Sequence, residues 1–219
     1  MTDTRSIVRW FVGAWALVAV IVLVVVLSTE QLALHASINA RHRAWADAFF
    51  AHFTHVADGW VPTLLALLIL FLRDLRAFLM VGLSCGLSAI VVQTLKRGVF
   101  ADHHRPLLFK DQLGDMAWVE GIEQHSYFSF PSGHSTAAFS MCLALAVVLG
   151  RKQLALPLFG LACVLAYSRV HLSQHFTEDI LAGSAVGTLT AVAVHHVLYR
   201  SRWSQAAWLR KRVLAGQNQ

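Results

Sequence analysis

Three short stretches of this chain combine residue types that can bind a phosphate group and attack it. They are residues 96–106 (KRGVFADHHRP), 131–134 (PSGH) and 168–179 (SRVHLSQHFTED). Lysine and arginine bind phosphate oxygens, an imidazole acts as nucleophile or acid, and a carboxylate can orient an imidazole. Each stretch lies at the end of an apolar run. The combination predicts phosphoryl transfer at the edge of an apolar bundle.

The third stretch contains a histidine and an aspartate four residues apart, His175 and Asp179. On a helix this spacing puts both side chains on one face. A carboxylate that binds one ring nitrogen as a donor leaves the other nitrogen as a nucleophilic lone pair. The spacing therefore favours His175 as a nucleophile that Asp179 orients.

The second and third stretches resemble the motifs of the type-2 phosphatidic acid phosphatase and vanadium haloperoxidase superfamily. The family pattern is Lys-x6-Arg-Pro, then Pro-Ser-Gly-His, then Ser-Arg-x5-His-x3-Asp. The second motif is matched in full at residues 131–134, and the third at Ser168, Arg169, His175 and Asp179. Because the two motifs must also agree in order and in side of the membrane, the joint match is highly specific.

The first motif departs from the family pattern. Eight residues separate Lys96 from Arg105, where the pattern has six. Nine residues of chain span at most about 30 Å, so residues 102–104 can bulge without drawing either cation away. We expect both cations to reach the phosphate, with Arg97 in place of Lys96 as the alternative. The resemblance as a whole spans residues 96–187, under half of the chain.

The resemblance implies a role for each matched residue. His175 would attack phosphorus to form a phosphohistidine, and Asp179 would hold its other ring nitrogen. His134 would protonate the leaving oxygen and then activate the water that releases phosphate. The phosphate itself would be bound by Lys96, Arg105, Ser132, Gly133 and Arg169. We expect no metal and no cofactor, because fixed cations supply the charge that phosphoryl transfer needs.

The Pro-Ser-Gly-His motif directly precedes an apolar run, which predicts the start of a helix. Proline suits the first helical turn, and free N–H groups at a helix start bind anions. Gly133 lets the backbone approach a phosphate without a Cβ in the way. Ordinary helix capping explains part of this motif but not the adjacent His134.

The composition indicates a membrane protein. Of the 219 residues 57% are hydrophobic and only 14% are charged, against roughly 25% charged in globular chains. Helical spans need about 20 apolar residues each. We predict an all-α, polytopic bundle of six transmembrane helices in a single domain, residues 1–219, with spans at about 10–28, 56–72, 77–95, 134–150, 153–168 and 180–199. The first run is interpreted as a retained anchor, with a signal peptide cleaved after Ala36 or Ala40 as the alternative.

The arrangement of positive charge predicts the orientation. With the N-terminus inside, the inner segments hold 11 of the 18 lysines and arginines but only two acids, Asp3 and Asp74. Positive residues favour the cytoplasmic side. We therefore expect both termini in the cytoplasm, an active site on the outer, periplasmic face, and a bacterial inner membrane as the location. The basic character of the chain reflects this topology. A nucleic-acid partner is not expected, because the sequence shows no basic face with interleaved aromatic residues.

Several further features leave alternatives open. Trp45, Phe49 and Phe53 share a helical spacing, which suits either a helix lying on the outer leaflet or packing on the bundle. The loop 96–131 is long, and its acidic middle is either a mobile lid or a solvated face. Four histidines near the motifs match no standard zinc spacing, so we expect no metal cluster from His103, His104, His125 and His171.

Two sets of small residues inside the predicted spans are interpreted as helix-packing residues. The three cysteines, Cys85, Cys142 and Cys163, are odd in number and show no close pairing, which favours small apolar packing over a disulfide. Gly183 and Gly187 form a Gly-x3-Gly pair, which allows close helix approach within the chain.

The motifs and the apolar bundle together predict a metal-independent lipid phosphatase, with a membrane lipid phosphate as its substrate. By resemblance, the candidate substrates are undecaprenyl diphosphate, phosphatidylglycerol phosphate, phosphatidic acid and lipid A phosphates. One alternative is a lipid phosphotransferase, in which an alcohol replaces water at the phosphohistidine. Another is a non-catalytic lipid-binding or scaffold protein with a relict site. A haloperoxidase is disfavoured, because those enzymes are soluble.

Overall fold

The computed structural model describes residues 3–114 and 116–213, and this part of the chain is helical without strands. Short 3-10 or π-helical turns connect or follow the main helices. The α-helices are α1 (Thr4–Ser28), α2 (Gln31–Ile38), α3 (Ala44–Phe53), α4 (Trp60–Leu72), α5 (Leu75–Gly98), α6 (Gly133–Leu149), α7 (Ala155–His171) and α8 (Thr177–His195). The prediction of an all-α protein is confirmed.

Four helical segments are long and apolar enough to cross a membrane by themselves: Thr4–Ser28, Leu75–Val99, Lys152–His171 and Thr177–Arg200. A fifth candidate joins Ala44–Ala57 to Trp60–Leu72 across a bend of 51°. Helix α6 is apolar but has only 17 residues. The protein is thus an integral membrane protein with four or five candidate spans in its described part, and the count of six stays a prediction.

The second predicted span, about 56–72, contains a break in the helix near its start. A 3-10 turn, Thr54–Ala57, ends at Asp58, whose backbone is extended, and α4 starts only at Trp60. The polar side chains of this link explain the break. Asp58 accepts hydrogen bonds from His55 and from His134 of α6, so it is held by partners outside α4.

Helix α6 forms the centre of the bundle and packs against α1, α5, α7 and α8. Its contact with α8 depends on the two predicted glycines. A Cβ on Gly183 would lie 2.4 Å from the carbonyl oxygen of Ser132, and one on Gly187 would lie 2.4 Å from that of Thr136. The Gly-x3-Gly pair therefore packs α8 onto α6 within the chain, as predicted, and fixes the start of α8 beside the start of α6.

Helix α1 lies on the outside of the bundle. Leu17 is 65% exposed and Leu27 is 77% exposed, which suits a helix whose outer face contacts lipid, because acyl chains are as apolar as leucine. The indole Nε1 of Trp15 donates a hydrogen bond to Ser184 Oγ on α8, at 3.0 Å. This bond anchors α1 to the bundle.

The aromatic residues of α3 divide between the two predicted environments. Trp45 is 68% exposed and Phe49 is 43% exposed, as a surface helix requires. Phe53 packs against the hydrophobic core, and Phe50 contacts Tyr167 of α7, with ring centroids 5.4 Å apart. Helix α3 therefore packs on the bundle through one face and leaves an aromatic edge exposed.

Candidate active site

Four helix ends meet at one end of the bundle and bring the three motifs together. Lys96 lies in the last turn of α5, Arg169 in the last turn of α7 and Asp179 in the first turn of α8, while Ser132 caps α6. His175 lies in the link between α7 and α8. All five are buried. Charged groups buried in this way need partners or a ligand, which marks this end of the bundle as the candidate site.

The pair of His175 and Asp179 forms without a shared helix. Helix α8 begins at Thr177, so His175 precedes it, and the prediction that both residues share a helix face is wrong. Asp179 instead reaches back from the first turn: its Oδ2 accepts from the backbone N–H of Phe176 at 2.9 Å and lies 3.2 Å from His175 Nδ1. With the proton on Nδ1, the lone pair of His175 lies on Nε2.

Ser129 is a third member of this group that sequence reasoning missed. Its hydroxyl donates to Asp179 Oδ2 and lies 3.4 Å from His175 Nδ1. Ser129 is 1% exposed, and its backbone N–H donates to the carbonyl of His103 at 2.9 Å. Ser129 lies just before the Pro-Ser-Gly-His motif. Its closeness to that motif is the only feature of the sequence that indicates a role.

Burial and positive charge act together on His175. The residue is 1% exposed. Desolvation, followed by the charges of Arg105, Lys96 and Arg169, holds the pKa of this imidazole well below its usual value. His175 is therefore neutral at physiological pH, the form that can act as a nucleophile.

Two arginines from different motifs converge on one oxygen. The side-chain Oε1 of Gln174 accepts from Arg105 Nη1 at 3.2 Å and from Arg169 Nη2 at 3.4 Å. Arg105 is further held by the carbonyl of Tyr127, and Arg169 by the hydroxyl of Thr54, both at 2.9 Å. Two guanidinium groups around one acceptor are an arrangement suited to phosphate oxygens. Gln174 was not singled out by the sequence.

In the lengthened first motif, the side chain of Lys96 is buried in the bundle and that of Arg97 is exposed. Lys96 is 7% exposed, and its charge acts on His175, whereas Arg97 is exposed on the same helical turn. The chain then turns after Phe100, and Arg105 is extended, with φ −91° and ψ 164°. Residues 102 and 103 are exposed within this turn.

His134 faces a cavity of about 260 Å³ at this end of the bundle. Its Nε2 lies 2.8 Å from Asp58 Oδ1, and the other carboxylate oxygen of Asp58 lies 2.8 Å from His55 Nδ1. Arg169 and Gln174 also line the cavity. Asp58 fixes the orientation of the His134 ring but belongs to none of the three motifs. In the sequence, its role is indicated only by the position of an acidic residue at the edge of an apolar run.

Helix α6 starts at Gly133, two residues after the proline of the Pro-Ser-Gly-His motif. Ser132 is the N-cap, and its Oγ accepts from the N–H of Ser135 at 3.4 Å, so Pro131 precedes the helix and is not in its first turn. Serine is preferred as an N-cap because its oxygen satisfies a free backbone donor. Gly133 and His134 then carry the first N–H groups of α6, which have no partner within the helix.

The four histidines considered for a metal cluster do not form one in residues 3–114 and 116–213. His171 instead approaches His42 and Asp47. The His103 ring contacts Phe100 edge-on and Phe130 at a tilt. Within the same part of the chain the three cysteines are free.

Comparisons with known proteins agree with this architecture. Residues 77–203 match the PAP2 superfamily. A lipid A 4'-phosphatase from Porphyromonas gingivalis is 27% identical over 184 residues, which cover 80% of this chain and 76% of that protein. A lipid A 1-phosphatase from Rhizobium johnstonii is 32% identical over 111 residues, covering 48% and 43%.

Two solved structures share the fold. Aquifex aeolicus LpxE has a TM-score of 0.64 at 26% identity, and the match covers 75% of this chain and 93% of that one. A transmembrane PAP2 type phosphatidylglycerolphosphate phosphatase from Bacillus subtilis has a TM-score of 0.65 at 22% identity, covering 93% and 100%. The second match concerns the fold alone.

A helical membrane bundle that gathers histidines and cations at one end, together with the matches to the PAP2 superfamily and to lipid phosphatases, identifies a membrane-embedded phosphatase. The chain belongs to the PAP2 superfamily, as its motifs predicted. It is an enzyme of the phosphatase type found in that family.

Proposed function

We propose that this enzyme removes a phosphate group from a membrane lipid through a phosphohistidine at His175. The observation that carries the proposal is the pairing of His175 with Asp179, 3.2 Å apart, within the field of Lys96, Arg105 and Arg169. These residues come from two of the three motif stretches, 96–106 and 168–179. A neutral imidazole beside three cations has the properties of a phosphorus-directed nucleophile.

In the first step His175 Nε2 attacks phosphorus, and the bond from phosphorus to the leaving lipid oxygen breaks. His134, in its protonated form, gives a proton to that oxygen and becomes neutral. The positive charge that develops on His175 is balanced by the carboxylate of Asp179, which accepts a hydrogen bond from Nδ1–H. The proton stays on Nδ1. Asp58 orients the His134 ring toward the cavity before the substrate enters.

In the second step water attacks the phosphohistidine. His134, now unprotonated, takes a proton from that water, the P–N bond breaks, and inorganic phosphate leaves. The electron pair returns to His175 Nε2, so the enzyme is restored. Arg105 and Arg169, which converge on Gln174 Oε1 in the structure, would bind the equatorial phosphate oxygens in both steps.

Catalysis should continue when metals are removed and stop in vanadate. The site supplies its own positive charge through Lys96, Arg105 and Arg169, and vanadate adopts a five-coordinate shape that resembles the transferring phosphoryl group. We expect phosphate release at 25 °C to persist in EDTA and to be inhibited by vanadate. Activity that is lost in EDTA and restored by a divalent ion would contradict metal-independent catalysis.

The alignment of the first motif can be tested with two neighbouring cations. A charge-assisted contact to phosphate is worth about 1.5–3 kcal/mol, or roughly 10- to 150-fold in rate when it acts in the transition state. Lys96→Met should therefore lower kcat/KM at least tenfold, and Arg105→Met more. The exposed Arg97 is the matched control, and Arg97→Met should have little effect. A crippling Arg97→Met with a silent Lys96→Met would show that the alignment is off by one residue.

The substrate proposed first is a lipid A phosphate, because the lipid A phosphatases of P. gingivalis and R. johnstonii are among the relatives of this chain. The apolar sides of the bundle suit a substrate anchored in the membrane. Purified enzyme should be assayed for phosphate release from lipid A, phosphatidylglycerol phosphate, phosphatidic acid and undecaprenyl diphosphate. Release from none of them would favour the relict-site alternative. Transfer to an added alcohol would favour the phosphotransferase.

We further propose a single domain with six spans, α1 and α4–α8, both termini in the cytoplasm and the site outside. The cation distribution supports this orientation, and an even number of spans returns the chain to the same side. In intact cells, the variant Asp111→Cys should react with an impermeant thiol reagent and Arg151→Cys should not, with the parent chain as background. The reverse pattern would put the site on the cytoplasmic face.

A further inference from the structure

A second cluster of metal-binding side chains lies outside the candidate active site. His42 is in the link between α2 and α3, Asp47 is in the first turn of α3, and His171 is the last residue of α7. Their ligand atoms all lie within 4.8 Å of one another. None of the three has a role in the proposed phosphoryl transfer.

The contacts within this cluster converge on one carboxylate oxygen. Asp47 Oδ1 lies 2.7 Å from His42 Nδ1 and 2.8 Å from His171 Nε2. The two imidazole rings are 4.7 Å apart between centroids. A tetrahedral zinc ion, with ligands at about 2.0–2.2 Å, would place neighbouring ligand atoms about 3.3 Å apart. Small side-chain movements convert the observed cluster into that arrangement.

Burial also favours an ion at this place. The side chains of His42 and His171 are only 9% and 8% exposed, while that of Asp47 is 23% exposed. His42 Nε2 is buried without a hydrogen-bond partner, so the polar contacts of this ring are made through Nδ1, toward the cluster. The partly open carboxylate leaves a route for an ion and for a water as fourth ligand.

We propose that His42, Asp47 and His171 form a binding site for a divalent transition-metal ion, with Zn²⁺ as the ion that suits the two imidazoles and one carboxylate. Magnesium and calcium are disfavoured, because both prefer oxygen ligands. In neutral imidazoles the Nδ1 of His42 and the Nε2 of His171 would present lone pairs to the ion, and each proton would lie on the other ring nitrogen.

The ion would join three segments that support the active site. Two residues before His171 lies Arg169, and helix α3 continues into Thr54, whose hydroxyl accepts from Arg169. An ion at the cluster would therefore fix α3 to the end of α7. The expected effect is a structural one on stability, separate from the chemistry at His175.

The test uses untagged, full-length enzyme in detergent, stripped by a chelator and titrated with zinc sulfate. Elemental analysis and competition with a chromogenic chelator should give one tightly bound zinc per chain. At a hundredfold excess over the dissociation constant, the melting temperature should rise by about 5–10 °C. Asp47→Asn is the informative variant, because an amide oxygen can still accept both hydrogen bonds but is a poor zinc ligand.

We expect Asp47→Asn to fold and to weaken zinc affinity at least tenfold, together with loss of the thermal shift. The matched control is His52→Gln, since His52 is an exposed histidine on the same helix whose ring is hydrogen-bonded to the carbonyl of Ala48 and is not part of the cluster. His52→Gln should bind zinc like the wild type. Equal zinc affinity in Asp47→Asn and the wild type, or no bound zinc in the wild type, would overturn the proposal without affecting the proposed phosphatase function.

Discussion

Replacing His175 by alanine should abolish phosphate release, with a loss of at least about 10³-fold in kcat, because removing a covalent nucleophile eliminates the route through the intermediate. No other histidine of the described chain is held by Asp179. The measurement is steady-state phosphate release by purified His175→Ala. A thermal melt of the same sample should show that the variant is folded.

His125 provides the matched control for this variant. It lines the cavity that His134 faces, is exposed, and contributes to none of the proposed steps. His125→Ala should therefore keep most of the wild-type activity. If His175→Ala retained more than a few per cent of activity, the assignment of the nucleophile would be wrong.

Replacing Asp179 by asparagine should be nearly as severe, with a loss approaching the roughly 10⁴-fold seen when a serine protease loses the corresponding carboxylate. Asp179 Oδ2 accepts from the Ser129 hydroxyl and from the Phe176 N–H. His175 Nδ1 lies 3.2 Å from the same oxygen. If the amide nitrogen of the variant takes this position, its NH₂ group faces His175 Nδ1, and the imidazole must carry its proton on Nε2, where the nucleophilic lone pair is needed. If the amide oxygen takes it, the negative charge that balances the imidazolium is lost.

Glu178→Gln is the control for the aspartate variant, since it makes the same chemical change at the preceding residue. Glu178 accepts a hydrogen bond from Gln31 and has no contact with His175 among those observed. Its substitution should change kcat by less than about twofold, as expected for an exposed polar contact. Comparable losses in both variants would show that the effect is not specific to the His175 tautomer.

The all-α membrane bundle could be predicted from the sequence because the apolar runs and the motifs are local signals. Composition alone indicated lipid-embedded helices. The Gly183–Gly187 spacing indicated close helix packing within the chain, and the structure shows that the partner helix is α6. The motif residues meet because α5 and α7 end where α6 and α8 begin. Any antiparallel arrangement of these helices brings the same ends together.

The supporting residues could not be predicted, because their roles depend on contacts between distant segments. Asp58 reaches His134 from a break before α4, and Ser129 reaches Asp179 from a loop. Gln174 holds two arginines that lie far apart in the chain. The start of α8 at Thr177 was also not predicted. The spacing of His175 and Asp179 fits two residues on one helix face, but it fits equally well an aspartate in the first turn of a helix that contacts a residue before the helix.

Trapping of the phosphoenzyme tests the central proposal most directly. In His134→Ala, an aryl phosphate with a good leaving group needs no acid for the first step, while the second step lacks its base. The phosphorylated enzyme should therefore accumulate, and mass spectrometry after rapid quenching should locate an acid-labile phosphate on His175. It should be absent from the His134→Ala/His175→Ala double variant. Phosphate on another residue, or release of the aryl alcohol without any phosphorylated enzyme, would contradict a phosphohistidine at His175.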